Sequence, residues 1–138
     1  MPYDPNNVFA RILRGELPKV AVYEDDLTLA FMDIMPSVAG HTLVITKEPA
    51  EGILDLSYEG AAALIKTTQK VAKAVKKGLN ASGVMLVQLN GAAAGQSIPH
   101  IHFHVLPREH GLELTLHGRK MLGADVLEPI AARIRAAL

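Results

Sequence analysis

The sequence predicts an α+β fold: a five-stranded antiparallel sheet with one long helix and short helices near the two ends. Three observations carry this. Five runs rich in β-branched, aromatic and aliphatic residues are bounded by turn residues. The connections between the first three runs are too short to hold a helical crossover, which makes their pairing antiparallel. One long stretch between the third and fourth runs repeats its apolar residues every three or four positions.

Taken in order, Val8, Phe9, Ile12 and Leu13 have helical spacing that ends at Gly15 and Pro18, a short amphipathic helix. Val20 to Glu24 and Leu27 to Asp33 are strands joined through Asp25-Asp26, a hairpin. Pro36 and Gly40 mark a loop before the third strand, His41 to Thr46. Ser57 is the expected N-cap of the long helix, in which Leu64, Thr68, Val71, Val75 and Leu79 form the buried stripe. Lys66, Lys70, Lys73, Lys76 and Lys77 lie on its other face and read as a solvated surface. Gly83 to Asn90 is the fourth strand. Residues 109 to 123 show no clear period, and the tail from Asp125 reads as a closing helix, with Asp125 as its cap, Glu128 three residues on and Pro129 in its first turn.

The fifth strand carries the chemistry. His100, His102 and His104 alternate with Ile101, Phe103 and Val105, the period of a strand with one apolar and one imidazole face. Same-face residues are roughly 6.5 to 7 Å apart, so the three rings are expected to stand in a row. A single histidine on a strand is an ordinary polar residue. Three in register are not explained by strand preference, and like-charged rings repel once protonated. Such a row can chelate a metal, attack an electrophile or bind phosphate. The preceding loop, Asn90-Gly91-Ala92-Ala93-Ala94-Gly95-Gln96-Ser97, consists mostly of residues small enough for backbone N–H groups to approach an anion. It lacks the Gly-Lys-Ser/Thr of a Walker A loop. Asn90, Gln96 and Ser97 add neutral donors that hold phosphate without neutralising an attacking imidazole.

Composition narrows the classes. The 138 residues, 49% hydrophobic and 20% charged, suit one globular domain. Lysine plus arginine and aspartate plus glutamate both number 14, so there is no basic excess for a nucleic-acid partner. The first residues lack a secretory pattern and no apolar run reaches spanning length, so the expected location is cytoplasmic, with no membrane partner. Without cysteine there is neither a disulfide nor a thiolate site.

His100-Ile-His102-Phe-His104-Val-Leu resembles the His-x-His-x-His signature of the histidine triad family of nucleotide hydrolases and transferases. Arg14-Gly-Glu-Leu-Pro18, Tyr23-Glu-Asp-Asp26, Ala30-Phe-Met-Asp-Ile-Met-Pro36, Gly40-His-Thr-Leu-Val-Ile45 and Ala94-Gly-Gln96 resemble further family blocks, in order, across residues 7 to 108. The resemblance implies a single domain over residues 1–138, with residues 109–138 as an extension, and the family fold, usually as a homodimer whose sheets run on into each other. It implies a purine nucleotide substrate and no cofactor. His102 would attack the α-phosphorus of a phosphoramidate, adenylate or dinucleoside polyphosphate, and water would then hydrolyse the nucleotidyl-histidine. The resemblance further implies that the His100 carbonyl orients His102, that His104 meets the phosphate beside Asn90, Gln96 and Ser97, and that Asp33 binds the ribose. By the same resemblance Phe9, Ile12, Leu17, Phe31 and Ile34 form the nucleobase slot and His41 supports the triad.

Some family members hold zinc through an N-terminal cysteine pair and a histidine after the third strand. This chain has no cysteine and carries Lys47-Glu48-Pro49 after that strand, so no metal is expected. Leu106-Pro107-Arg108 resembles the dinucleoside polyphosphate hydrolase branch rather than the phosphoramidase branch. Two other readings stay open on sequence: a zinc site combining the triad with His41, and a nucleotide- or partner-binding module without turnover. His110 and His117, outside the motif, read as surface residues.

Overall fold

Asp25 reverses the chain at the first hairpin, accepting hydrogen bonds from the backbone N–H groups of Leu27 and Thr28 at 2.9 and 2.8 Å. That turn sets the first pairing of a sheet which, in the computed structural model, is seen in full; the structure describes residues 2–115, 117, 118 and 120–138. After helix α1 (Val8–Leu13) come strands β1 (Ala21–Glu24), β2 (Thr28–Met32) and β3 (Thr42–Thr46), helix α2 (Tyr58–Gly78), strands β4 (Gly83–Gln88) and β5 (His102–Arg108), and helix α3 (Ala124–Ala136). The strands form one five-stranded antiparallel sheet in the order β1-β2-β3-β5-β4.

Both faces of β2 and β3 are buried, and the pleat divides their side chains between two clusters. Ala30, Met32 and Val44 join Ile101 and Val105 on the face covered by α2 and α3, against Leu64, Val71, Val75, Leu127, Ala131 and Ile134. Leu29, Phe31, Leu43 and Ile45 point to the other face, where Phe9 and Ile12 of the short α1 meet them, with Leu13, Leu17, Ala21 and Ile98 at the margin. Ser57 caps α2 as expected, its Oγ accepting from the Gly60 N–H at 2.9 Å. The lysine face of α2 is solvent-exposed, with Lys70 donating to the Tyr23 hydroxyl. A Cβ at Gly78 would lie 2.5 Å from the Arg133 carbonyl oxygen, so glycine permits α3 to cross the end of α2.

Three expectations need correction. The histidine strand begins at His102, so His100 stands before the strand rather than at the head of a three-ring row. Helix α3 starts earlier than expected: Gly123 occupies the N-cap without a side-chain bond, and Asp125 lies in the first turn, where its carboxylate faces the positive end of the helix. Pro129 consequently falls beyond the first turn, inside the helix, where it removes one backbone donor. Residues 109–123 contain no helix or strand among those described. No helix among the described residues is long and apolar enough to cross a membrane.

Candidate active site

Because α1 is too short to cover its face of the sheet, a cavity of about 520 Å³ remains there. Phe9, Ile12, Leu17, Phe31, Ile34 and Leu43 line its apolar part, and Asp33, Ser97, His102, His104 and His117 line its polar part. The wall thus offers apolar surface to a flat group and polar groups to an oxyanion.

Hydrogen bonds to groups with fixed roles assign a tautomer to each buried ring. His100 Nε2 lies 2.8 Å from the Thr46 carbonyl, which only accepts, so the proton is on Nε2; its Nδ1 accepts from the Tyr3 hydroxyl. His102 Nδ1 lies 2.7 Å from the His100 carbonyl, so Nδ1 donates and Nε2 carries the lone pair. The Ser37 backbone N–H donates to His41 Nδ1 at 3.1 Å, which puts the His41 proton on Nε2. That proton points at His104 Nδ1, 2.8 Å away, and so the His104 proton is on its own Nε2. No buried side-chain nitrogen or oxygen among the described residues lacks a partner, and His102 Nε2 and His104 Nε2, which have none among those residues, are therefore not buried. Both nitrogens therefore open onto the cavity, one as a lone pair and one as a donor.

Burial also keeps these rings neutral. His41, His100, His102 and His104 are at most 6% exposed. Desolvation holds His41, His100 and His102 below the ordinary histidine value, and pushes His104 down to about 3, with the neighbouring His102, His41 and His117 adding to it. A neutral His102 is the nucleophilic form. The Phe9 ring stands edge-on to it at 4.9 Å between centroids and 89°, which restricts its rotation.

The structure brings together Phe9, Ile12, Leu17, Phe31, Asp33, Ile34, Ser97, His102 and His104, and leaves His41, Asn90, Gln96 and His100 off the cavity wall. His41 stands behind His104. Gln96 is buried and committed: its amide nitrogen donates to the Glu51 and Ile98 carbonyls and its oxygen accepts from the Gly91 N–H. Asn90 exchanges amide bonds with Gln88 and accepts from the Ile53 N–H. Gly91 and Gly95, at φ of 91° and 100°, give the small-residue loop its turns.

Sequence reasoning missed Tyr3, Ser37 and His117. Tyr3 and Ser37 act through one hydrogen bond each, which no spacing reveals. His117 is exposed, as expected of a surface residue, and it also borders the cavity with its ring 6.2 Å from that of His104.

Asp33, His41 and His104 offer ligand atoms that all lie within 4.8 Å of one another, the donor set of a zinc site. Without a metal, His41 is hydrogen-bonded through both ring nitrogens. Its Nδ1 faces the Ser37 N–H, so the proton occupies Nε2, the atom a metal would need. The arrangement is a hydrogen-bonded chain from Ser37 through His41 to His104.

An open antiparallel sheet carrying neutral, backbone-oriented histidines beside a cavity defines a small α+β protein with a nucleophile-bearing pocket. The HIT domain model matches residues 14–111, and the chain belongs to the histidine triad family. It is 44% identical over 104 residues to an uncharacterized HIT-like protein of Borreliella burgdorferi, covering 73% of this chain and 74% of that protein. It is 39% identical over 108 residues to adenosine 5'-monophosphoramidase hnt1 of Schizosaccharomyces pombe, covering 76% and 78%. The crystal structure of a Hit-like protein involved in cell-cycle regulation from Bartonella henselae, with an unknown ligand, superposes with a TM-score of 0.94 at 47% identity over 100% of both chains.

Proposed function

We propose that this protein is a nucleotidyl hydrolase that cleaves at the α-phosphorus of purine nucleoside phosphoramidates, adenylates or dinucleoside polyphosphates through a nucleotidyl-histidine on His102. The observation that carries the reading is the lone pair of His102 Nε2, held toward the cavity by the bond from Nδ1 to the His100 carbonyl. Attack by Nε2 makes the ring cationic, and the same carbonyl then accepts from a charged donor, a stronger bond than in the resting state. His100 is in this sense a positioning residue. His104, donating from Nε2, and Ser97 meet the phosphate. Gln96 and Asn90 shape the phosphate loop through their bonds to its backbone and neighbours. Asp33, whose Oδ1 is fixed by the Met35 N–H at 2.8 Å, takes the ribose hydroxyls, and the Phe9, Ile12, Leu17, Phe31 and Ile34 wall takes the base. The monophosphoramidase relative supports the phosphoramidate among these substrates.

The test is intact-protein mass during turnover of an adenosine phosphoramidate, quenched without acid. The wild type should gain one adenylyl group transiently and His102→Ala none. Turnover without any adduct would overturn the covalent route.

The protein also acts, in this proposal, as a homodimer paired along β4. That strand is at the sheet edge, with one side unpaired and Leu86 44% exposed. Light scattering after gel filtration should give twice the chain mass; a monomer at micromolar concentration would overturn the pairing.

A further inference from the structure

The four buried histidines leave one requirement of the proposed reaction unmet. An amine or alkoxide departing from phosphorus needs a proton. His100 and His102 donate theirs to backbone carbonyls, His41 donates to His104, and His104 is a neutral donor that burial keeps from taking up a second proton. Among the described residues the other ionisable groups on the cavity wall are Lys19, Asp33 and His117. Asp33 lies beside His41, its Oδ2 3.4 Å from Nε2. Lys19 lies on the segment between α1 and β1.

His117 is different in placement. It is solvent-exposed, and its ring lies 6.2 Å from that of His104 at 78° on the cavity wall. The backbone around it is tied down. The Gly118 N–H donates to the Met35 carbonyl at 3.2 Å, and the Leu122 N–H donates to the Ile34 carbonyl at 2.7 Å. A Cβ at Gly118 would come within 2.6 Å of three backbone atoms of Met35 and Pro36, so the segment is pressed against the loop that carries Asp33. Its neighbours with charge to exchange are Asp33 on that loop, His41 just before β3, and His102 and His104 on β5.

We propose that His117 is a further catalytic residue, the acid that protonates the leaving group and then the base that activates water. This deepens the nucleotidyl-transfer reading and rests on it. In the first step His102 Nε2 forms a bond to the α-phosphorus while the bond from phosphorus to the leaving nitrogen or oxygen breaks. The leaving atom keeps that electron pair and takes the proton of cationic His117. In the second step water attacks phosphorus and gives a proton back to neutral His117. The phosphorus–His102 bond breaks with its electrons returning to Nε2, releasing the nucleoside monophosphate.

The experiment compares two adenylyl substrates, an N-alkyl phosphoramidate, whose amine must be protonated to leave, and a p-nitrophenyl ester, whose phenolate leaves without a proton. Read as the rate of adenylyl-enzyme formation in a single turnover, before the water-activating step that both substrates share, His117→Gln is expected to slow the amide roughly 100-fold more than the ester, at the lower end of the effect of a positioned acid. AMP affinity is measured alongside and should be retained. Equal losses on both substrates, no loss on the amide, or loss of AMP affinity would each overturn the assignment. Failure of the wild type on both substrates would instead overturn the nucleotidyl-transfer reading beneath it, and is seen without any variant.

Discussion

The two faces of this sheet are built from the same strands and are equally buried, yet they do different work. On the face under α2 and α3, Ala30, Met32, Val44 and Val105 pack against helical aliphatics, and the buried threonine hydroxyls there are spent on one another, as between Thr28 and Thr67, or on nearby carbonyls. On the face under α1, the alternate residues Leu29, Phe31, Leu43 and Ile45 meet a helix of 6 residues, and His102 and His104 continue that face along β5. Burial on the first side becomes stability. On the second side it becomes chemistry: desolvation keeps imidazoles neutral, and backbone groups choose which nitrogen carries the proton. The lesson is that a covering helix of different length turns one alternating strand into half core and half candidate active site.

The contrast can be broken from either side. The largest expected effect is on the pocket face, where His102→Ala should abolish turnover while AMP binding, measured by calorimetry, stays within about tenfold, or about 1.4 kcal/mol. Turnover surviving in that variant would remove His102 from the chemistry. On the helix face, Leu64, 1% exposed, should cost about 2–5 kcal/mol of stability on replacement by alanine, with turnover per folded molecule preserved. Urea denaturation and an active-site titration measure the two; a stable but inactive L64A would show that the faces are not separable. Tyr3→Phe removes the donor to buried His100 Nδ1 and should cost about 1–3 kcal/mol in the same denaturation assay. An unchanged midpoint would mean that water replaces the hydroxyl.

The smallest effect is on pH dependence. His104 titrates near 6.5 when unfolded and at about 3 when folded, so between those values the unfolded chain binds the extra proton. Its stabilising contribution is present above pH 6.5 and is lost as pH falls toward 3. Between pH 6 and pH 5 His104→Gln should therefore lose roughly 1 kcal/mol less stability than the wild type. Equal losses would mean that His104 is protonated as readily in the folded protein.

Much of this was legible in the sequence because it depended on period. The alternation of His102 and His104 with Phe103 and Val105, the α2 stripe and its Ser57 cap all follow from local rules, and the structure keeps them. What could not be read depended on contacts between distant segments. Tyr3 is 97 residues from His100, and His41 is 63 from His104. The aperiodic residues 109–123 gave no hint that His117 borders the cavity. The start of β5 was misjudged for a related reason: alternation continues back to His100, but the backbone there bonds elsewhere, the Ile101 N–H reaching the Ala50 carbonyl at 2.9 Å.

The claim on which the account turns is that backbone groups hold His102 neutral with its proton on Nδ1. Nitrogen-15 NMR of the imidazole side chains measures this directly, since protonated and bare ring nitrogens resonate far apart. The account predicts a protonated Nδ1 and a bare Nε2 on His102 at pH 7, unchanged at pH 6. An Nε2-protonated tautomer, or a cationic His102 ring at pH 6, would contradict it.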